Sequence, residues 1–505
     1  MTDYFLGLDC GGTFIKAGIY DVTGTEYGIA RRNLPITTPQ PGWAERDMHT
    51  LWQTAAEVIR ELLDKTALPA SAISGVGISA QGKGLFLLDK HDKPLGNAML
   101  SSDQRAREQV LAWQQAGIPQ ALYPQTRQTL WTGHPVSLLR WLKDHQPTRY
   151  AQIGTLFMAH DYLRFCLTGE RACEETNISE SNLYNMDTGR YDPALAEQLG
   201  IAEIIGALPP IIGSTDIAGR ITPEAAQLTG LRAGTPVVGG LFDVVSTALC
   251  AGLQDETRLN AVMGTWSVTS GITDTLADGY DHPFVYGRHA EAGRYIVHEA
   301  SPTSAANLEW FCQQWGLSDG LGVDYAQLNR WVSDLPKAGS PLLFVPFLYG
   351  SNAGLGLSAS FYGLQAFHRR EHLVQAIYEG VVFCHMAHLN RMRQRFPNVD
   401  ALRITGGPAK SIPWMQMFAD VSGLPVELPQ VEETGCLGAA MAAMAAMVGS
   451  GAFSDVTAAQ RALSPRMTRL TPDEHVRTAY DKKYQHYQAL VDALKALQPA
   501  GKEKP

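Results

Sequence analysis

A tight turn between two apolar strands, repeated half a chain later, constrains the fold of this sequence more than any other feature. In the first copy, which spans 6–21, an apolar strand that ends on Asp9 and a second apolar strand flank the turn residues Gly11, Gly12 and Thr13. Glycine tolerates a positive φ, so we expect Gly11 and Gly12 to let the chain reverse tightly. The second copy, at 259–271, carries Gly264 and Thr265 at its turn. Two such turns predict two related domains that close on one nucleotide.

The first turn has the chemistry of a phosphate site. Its backbone N–H groups and the Thr13 hydroxyl can converge on one point, which suits phosphate oxygens. Asp9 ends the preceding strand, and a carboxylate there can hold a hydrated Mg²⁺ beside the phosphate. A single hairpin of this kind is weak support, because most such hairpins are only turns. The repetition is what makes the nucleotide hypothesis worth testing.

Composition narrows the class of protein. A chain of 505 residues is too long for one hydrophobic core, so two large domains are expected. The formal net charge of −9, without a long run of Lys or Arg, argues against a nucleic-acid surface. Seven scattered cysteines without Cys-x-x-Cys spacing are typical of reduced thiols, which predicts a cytoplasmic location. Neither a basic leader segment nor an apolar stretch of membrane-spanning length is present, so we expect no signal peptide and no membrane partner.

Apolar runs alternate with helical periodicity along the chain, which is typical of an α/β fold. Strands are predicted within 6–21, 73–79, 85–89, 235–240, 259–271 and 402–405, and helices within 51–65, 162–167, 241–252, 304–315, 371–395 and 433–448. Methionines at i+3 spacing in the last of these helices are interpreted as core packing. A polar link at 253–258 predicts domains at 1–254 and 255–497, followed by a frayed tail at 498–505.

Three further motifs are interpreted as structural. Residues 77–84 imitate a P-loop, but Gly84 stands where a Mg²⁺-binding hydroxyl is needed, and a strand follows instead of a helix. His368 and His372 spell a zinc motif at a helix start, where no third carboxylate is recognisably spaced. His385 and His388 share a helix face, where packing is preferred over metal binding.

Nine motifs in a fixed order resemble those of the FGGY carbohydrate kinases, which have the actin/hexokinase-like ATPase fold. The motifs lie at 9–13, 41–45, 81–84, 103–105, 161–169, 240–243, 264–265, 406–411 and 432–440. The resemblance covers roughly residues 4 to 490. It implies two ribonuclease H-like α/β domains with a central interdomain cleft, and a kinase that uses ATP and Mg²⁺ to phosphorylate a sugar.

The resemblance also implies roles for the matched residues. Asp243 matches the catalytic aspartate that accepts the proton of the attacking sugar hydroxyl, and Asp9 matches the aspartate that organises Mg²⁺. The residues matched to ATP binding are Gly11, Gly12, Thr13, Lys16, Gly264, Thr265, Glu309, Gly406, Gly407 and Ser411. Those matched to the sugar site are Gln81, Gly82, Lys83, Asp103, Phe242 and Asp243. The alternative for Asp243 is a helix N-cap or first-turn acid, and the alternative for the glycines is a turn without a ligand.

The sugar itself stays open at this point. A ketopentose is implied, with L-xylulose as the leading candidate and 3-keto-L-gulonate, D-xylulose and ribulose as alternatives. Lys83 either contacts the substrate or is a solvated lysine in a turn.

A nucleotide-gated protein on the same fold is the competing class of protein. A Rossmann dehydrogenase is excluded as a class, because the first turn joins two strands and no Gly-x-Gly-x-x-Gly motif opens a helix there. The expected partners are the sugar and ATP, and the oligomeric state is left open between a monomer and a homodimer.

Overall fold

The computed structural model describes residues 3–264, 266–277, 279, 283–319, 322–351, 353–354, 357–447 and 453–497. Its contacts divide the chain into two units. Unit 1 comprises Met1–Gly252, Ile272–Val297 and Val431–Ser464, and unit 2 comprises Leu253–Gly271, His298–Gln430 and Pro465–Pro505. The first division therefore falls at the start of the predicted polar link, while two later segments belong with the N-terminal part of the chain. The predicted tail at 498–505 lies outside the described residues.

Unit 1 is built on a seven-stranded sheet. The strand Tyr4–Cys10 pairs antiparallel with Phe14–Asp21, which pairs in turn with Glu26–Asn33. On its other side, Tyr4–Cys10 runs parallel to Ile73–Ala80. The sheet continues through Pro236–Val238, which is parallel, to an antiparallel edge strand, Ile217–Arg220. The seventh strand, Leu241–Phe242, also pairs in parallel with Ile73–Ala80.

The register of this sheet brings separate parts of the sequence to one end. Asp9 pairs with Ser79, and Leu241 pairs with Ser79 from the other side. These three strands are parallel, so their carboxyl ends meet, and Gln81 and Asp243 follow directly on two of them. Ligands of parallel sheets bind at this end.

Short strand pairs and helices complete unit 1. The strand pairs are Glu45–Arg46 with Ala98–Met99, Phe86–Asp89 with Ile153–Phe157, Cys173–Glu174 with Ile211–Ile212, and Tyr184–Asn185 with Arg190–Tyr191, and Val285–Arg288 is a further strand. The helices are Met48–Thr66, Arg107–Gln115, Ile118–Thr126, Pro135–His145, Pro147–Tyr150, Ala159–Thr168, Glu175–Ile178, Pro193–Gln198, Pro223–Thr229, Asp243–Cys250, Thr434–Ala446 and Val456–Leu463, with 3-10 turns at Ala70–Ala72 and Ala202–Ala207.

The helix Thr434–Ala446 lies directly on the central strands of this sheet. A Cβ added at Gly7 would stand 1.8 Å from the carbonyl oxygen of Cys436, and one added at Gly77 would stand 1.9 Å from that of Ala439. Only glycine allows the two backbones to approach so closely. Met441 and Met444 of the same helix are fully buried, which confirms the interpretation of these two methionines as core residues. Met447, the third methionine of the pattern, follows the helix and is half-buried.

Unit 2 repeats the arrangement of unit 1. Ser267–Thr273 pairs antiparallel with Arg258–Met263, which runs parallel to Ala401–Thr405. Val426–Pro429 follows in parallel, and Met467–Leu470 closes this run antiparallel. This is the order and sense of five neighbouring strands in unit 1, so the prediction of two related α/β domains of the actin/hexokinase-like type is confirmed.

The remaining elements of unit 2 are short strands and longer helices. The strands are Tyr295–Ser301, which begins in unit 1, Ser318–Asp319, Gly322–Val323, Leu343–Val345 and Ser360–Tyr362. The helices are Ala306–Gln314, Tyr325–Asp334, Arg370–Arg395, Ile412–Ser422 and Glu474–Ala496, with a 3-10 turn at Gly407–Lys410. Among the described residues no helix is long and apolar enough to cross a membrane.

The predicted tight hairpin is confirmed, with Cys10 opposite Ile15, although neither Gly11 nor Gly12 has a positive φ. The turn is closed by a 3.0 Å hydrogen bond from the Gly11 N–H to the Phe14 carbonyl. One local prediction is wrong. The helix predicted at 241–252 begins only at Asp243, because Leu241 and Phe242 are held in the sheet.

Candidate active site

Asp243 is the first residue of the helix Asp243–Cys250, directly after the sheet. Burial raises the pKa of its carboxyl and the nearby Asp9 carboxylate adds to this effect, whereas Lys83 and the Val244 N–H act in the opposite direction; the resulting pKa is about 8. Asp243 thus lies in the first turn of a helix, as the alternative interpretation of this residue predicted. A carboxylate that titrates near neutral pH also has the property that a general base needs.

Lys83 brings a positive charge to this carboxylate. Its Nζ forms an ion pair with the Glu180 carboxylate, whose side chain is 1 % exposed, and lies 5.1 Å from the centroid of the Phe242 ring. The Lys83 side chain is itself only 15 % exposed. The interpretation of Lys83 as a solvated lysine is therefore wrong, since its charge is held between an acid and an aromatic ring.

Gln81 and Gly82 complete this side of the site. The Gln81 Nε2 is buried and has no hydrogen-bond partner within the described part of the chain. A Cβ on Gly82 would lie 2.4 Å from Phe242 Cε2, so the aromatic ring packs on the bare Gly82 backbone. Gln81 thus presents an amide donor free for a ligand, close to the residue that precedes Asp243.

Asp9 lies at the predicted phosphate turn with one oxygen unused. Its Oδ1 is buried without a hydrogen-bond partner among the described residues. Burial raises the Asp9 pKa, against the opposing effects of Lys16 and Ser79. A Cβ on Gly435 would stand 2.4 Å from the Asp9 Cγ, so the start of the helix Thr434–Ala446 reaches this carboxylate. An acceptor oxygen in this setting fits a hydrated divalent cation.

Lys16 is tied to an acid that the sequence motif contains but to which no role was given. Its Nζ donates to Glu433 Oε2 at 2.6 Å. Burial lowers the Lys16 pKa, but Asp9 and Glu433 more than offset this effect, so the pKa is raised. Lys16 therefore stays charged beside Asp9, which suits its predicted role toward phosphate.

Arg46 is a further basic residue here, and sequence reasoning missed it. Its Nη2 donates to the Gly12 carbonyl at 2.6 Å, while Nε and Nη1 are buried without a partner in the described ranges. Gly12 and Thr13 are exposed next to it. No periodicity or motif in the sequence connects Arg46 to the turn.

Both carboxylate oxygens of Asp103 accept hydrogen bonds from neighbouring groups of the protein. Its Oδ2 accepts from the Ala44 N–H and from Arg105 Nη2, both at 2.8 Å, and its Oδ1 accepts from the backbone N–H and Nε of Arg105, both at 2.9 Å. The Arg105 guanidinium lies 3.8 Å from the centroid of Trp43. The structure therefore shows Asp103 as a support for Arg105, and the sugar contact predicted for it stays a prediction.

The residues matched to ATP in the second half belong to unit 2. Gly406 has φ of 99°, and a Cβ there would stand 2.2 Å from the Met263 carbonyl oxygen, beside the turn that contains Gly264. A Cβ added at Gly407 would meet no atom of the described residues within 4 Å, and Glu309 is exposed on its helix.

Ser411 has a structural partner in the same unit. Its hydroxyl caps the helix Ile412–Ser422 and donates to Asn329 Oδ1 at 2.6 Å. Thr265 lies outside the described residues. The nucleotide contacts of this group stay predictions.

The histidine motifs have structural roles. His385, with its pKa lowered to about 3 by burial and by His388, is held between the hydroxyls of Ser267 and Ser304, each 3.0 Å away. His372 accepts the Arg369 N–H at its helix start. All seven cysteines lie in the described part of the chain, where they are free thiols.

A carboxylate at the end of a parallel sheet, beside an acid, two lysines and a Gly-Gly-Thr turn, provides the kinds of groups that phosphoryl transfer to an alcohol requires. Residues 4–250 match the N-terminal domain of the FGGY family of carbohydrate kinases, and residues 259–447 match its C-terminal domain. The chain belongs to this family and is a carbohydrate kinase, an enzyme that takes ATP as a substrate.

Relatives and solved structures agree with this assignment. The chain is 63 % identical to the L-xylulose/3-keto-L-gulonate kinase of Escherichia coli, covering 100 % of this chain and 99 % of the relative. It is 60 % identical to a probable L-xylulose kinase of Pasteurella multocida, covering 98 % and 100 %. The structure of xylulose kinase from Rhodospirillum rubrum is similar with a TM-score of 0.82 and 26 % identity, covering 98 % and 99 % of the two chains.

Proposed function

We propose that the protein transfers the γ-phosphoryl group of ATP to L-xylulose and forms L-xylulose 5-phosphate. The observation that carries this proposal is Asp243, a half-buried carboxylate with a raised pKa that faces the charges of Lys83 and Asp9. Two relatives at 60 % identity or more bear the name of this sugar, which supports the choice of substrate.

Asp243 would act as the general base. Its carboxylate would accept the proton of the attacking sugar hydroxyl and hold the oxygen in line with the γ-phosphoryl group. Phosphoryl transfer passes through a loose transition state, so positioning and charge contribute more than covalent chemistry. A pKa of about 8 leaves the carboxyl basic enough to take the proton near neutral pH.

Gln81 and Lys83 would bind the sugar. The Gln81 Nε2 is a buried donor that a hydroxyl or ketone oxygen would satisfy. Lys83 is a cation with three N–H donors, of which Glu180 engages one. A neutral ketopentose gains a hydrogen bond from such a group, and a sugar acid gains a charge-assisted one, about twice as strong. 3-Keto-L-gulonate is therefore the proposed second substrate.

The phosphates and Mg²⁺ would lie at the Gly-Gly-Thr turn. The residues present fit Mg²⁺, because Asp9 offers a buried oxygen that has no hydrogen-bond partner among the residues described by the structure. Among the described residues no group of three or more His, Cys, Asp and Glu could hold a metal ion, so water and phosphate would supply the other ligands. When bound, the ion neutralises phosphate charge. Lys16, the turn N–H groups and Thr13 would hold the phosphate oxygens. The free thiols support a cytoplasmic location.

ADP release, coupled to a spectrophotometric signal, tests the proposal across L-xylulose, 3-keto-L-gulonate, D-xylulose, L- and D-ribulose and glycerol. We expect the highest kcat/KM for L-xylulose and the second highest for 3-keto-L-gulonate. Lys83→Met should lower kcat/KM for the acid sugar more than for the neutral one. A preference for glycerol, or ATP hydrolysis that no sugar stimulates, would refute the proposal and would favour a nucleotide-gated protein.

A further inference from the structure

A buried segment of unit 1 contacts both loops of the sugar site without belonging to either. We call residues 174–180 the support segment; it contains the one-turn helix Glu175–Ile178. Six of its seven residues are buried, and they include the polar side chains of Glu174, Thr176, Asn177 and Glu180. Buried polar groups are costly unless they are hydrogen-bonded, so their partners show what the segment holds in place.

Thr176 connects the segment to the Asp243 loop. Its hydroxyl accepts a 2.9 Å hydrogen bond from the Phe242 N–H and donates a 2.7 Å hydrogen bond to Glu174 Oε2. Because Glu174 takes the hydroxyl proton, the lone pairs of the Thr176 oxygen are left for Phe242. Phe242 caps the helix that starts with Asp243, so this bond fixes the point where that helix begins.

Glu174 is itself held in one orientation. Its Oε1 accepts from the Thr176 N–H at 2.8 Å and from the Ser214 hydroxyl at 2.7 Å. Both carboxylate oxygens are therefore engaged, and the direction of the Thr176 hydroxyl is determined. The chain of contacts runs from Glu174 through Thr176 to the backbone beside Asp243.

Asn177 and Glu180 connect the segment to the other loop. The Asn177 side chain donates to the Gln81 carbonyl and accepts from the Lys83 N–H, each over 3.4 Å. The Glu180 carboxylate pairs with Lys83 Nζ. One short segment thus holds the backbone on both sides of the sugar site.

We infer that Thr176 is a positioning residue for Asp243 and that Asn177 is a positioning residue for Gln81 and Lys83. This inference rests on the proposed function. It predicts that the two residues affect different kinetic constants. Loss of the Thr176 hydroxyl should act on kcat, because a base displaced by about 1 Å can lose roughly 100-fold in rate. Loss of the Asn177 amide should act on the KM for the sugar.

Thr176→Val removes the hydroxyl at nearly constant shape. We expect kcat to fall about 10- to 100-fold, with the KM for ATP and sugar within about threefold of wild type. Thr176→Ser keeps the hydroxyl and should restore kcat to within about threefold. Asn177→Leu should raise the KM for the sugar about tenfold with a smaller effect on kcat. A kcat that Thr176→Val leaves unchanged would overturn the inference.

Thr229→Val is the matched control. The Thr229 hydroxyl is also fully buried in unit 1, accepts from the Leu231 N–H at 3.2 Å and donates to the Ala225 carbonyl at 2.8 Å. The Thr229→Val variant should lose stability, as Thr176→Val does, and should keep the kcat of the wild type. Equal losses of kcat in both valine variants would show that Thr176 is only structural.

Hydrogen exchange followed by mass spectrometry gives a readout that does not depend on activity. Thr176→Val removes the acceptor of the Phe242 N–H, so peptides covering 240–244 should exchange about tenfold faster, and Thr229→Val should leave them unchanged. If the wild-type enzyme prefers another sugar, the proposed substrate fails while this result stands. Unchanged exchange at 240–244 in Thr176→Val would overturn the inference whatever the sugar.

Discussion

Asp243→Asn is expected to stabilise the ligand-free protein while it removes activity. Burial raises the pKa of Asp243 from 3.8 to about 8, so the folded protein holds this proton more tightly than the unfolded chain. A raised carboxyl pKa gives a contribution to stability that is fully present below pH 3.8 and is lost as the pH rises toward 8. Asparagine keeps the shape and carries no charge, so it escapes this loss.

The size of the effect follows from the same values. At pH 7 a carboxyl shifted from 3.8 to about 8 costs at most about 4 kcal/mol, since each pKa unit corresponds to ~1.4 kcal/mol. The side chain keeps some contact with solvent, which screens its charge, so we expect about 2 kcal/mol to be realised. That corresponds to a rise in Tm of roughly 4 °C. The kcat should fall about 10²- to 10⁴-fold because the base is lost.

Thermal unfolding at pH 5, 7 and 8.5 without ligands, together with kcat, tests this prediction. The Tm advantage of Asp243→Asn over wild type should grow from the lowest pH to the highest. Asp64→Asn, on the exposed face of the helix Met48–Thr66, should change neither Tm nor kcat. A Tm difference that does not depend on pH would refute the electrostatic reasoning, and a kcat above one tenth of wild type would refute the assignment of Asp243 as the base.

Three further predictions concern Asp9 and the residues that lie near Asp9 or Asp243. Lys83→Met should raise the pKa of Asp243 further, since Lys83 lowers it, and so move the rise of kcat/KM with pH about 1 unit higher; an unmoved profile would contradict this. Asp9→Ala should lower kcat and raise the Mg²⁺ concentration needed for half-maximal rate, with the KM for the sugar little changed; an unaltered Mg²⁺ titration would exclude the role. Gly435→Ala should lower both Tm and kcat, because its Cβ would stand 2.4 Å from the Asp9 Cγ, whereas Gly206→Ala, with nothing within 4 Å, should be tolerated.

Local pattern was enough to predict most of the fold. Apolar alternation and chain reversal located both hairpins, and helical periodicity located Met48–Thr66 and Arg370–Arg395 to within a few residues. The error at Leu241 has a clear cause. An apolar run into a helix can begin with a short parallel strand, and only its pairing with Ile73–Ala80 decides where the strand ends.

The arrangement of the candidate site follows from the sequence only where a motif stands at the end of a strand. Asp9 is the next-to-last residue of one strand and Asp243 follows another, and the meeting of parallel strand ends brings them to one edge. The supporting residues carry no such signal, because Thr176 and Glu180 act over 66 and 97 positions of sequence. A residue's type shows what it can bond, and the fold decides which partner it finds.

Each aspartate of the site lies near a lysine that a glutamate holds. Lys16 acts on Asp9 and pairs with Glu433, and Lys83 acts on Asp243 and pairs with Glu180. In both cases the lysine lowers the aspartate pKa while burial keeps it raised. In each case the ion-pair partner of the lysine is the glutamate and not the aspartate. The cost of burying the lysine charge is therefore offset without the aspartate. At Asp9 one oxygen is thereby kept for a ligand, since its Oδ1 has no hydrogen-bond partner in the part of the chain that the structure describes. Neutralising either glutamate should let its lysine move onto the aspartate, which would lower the aspartate pKa and weaken it as a base or ligand.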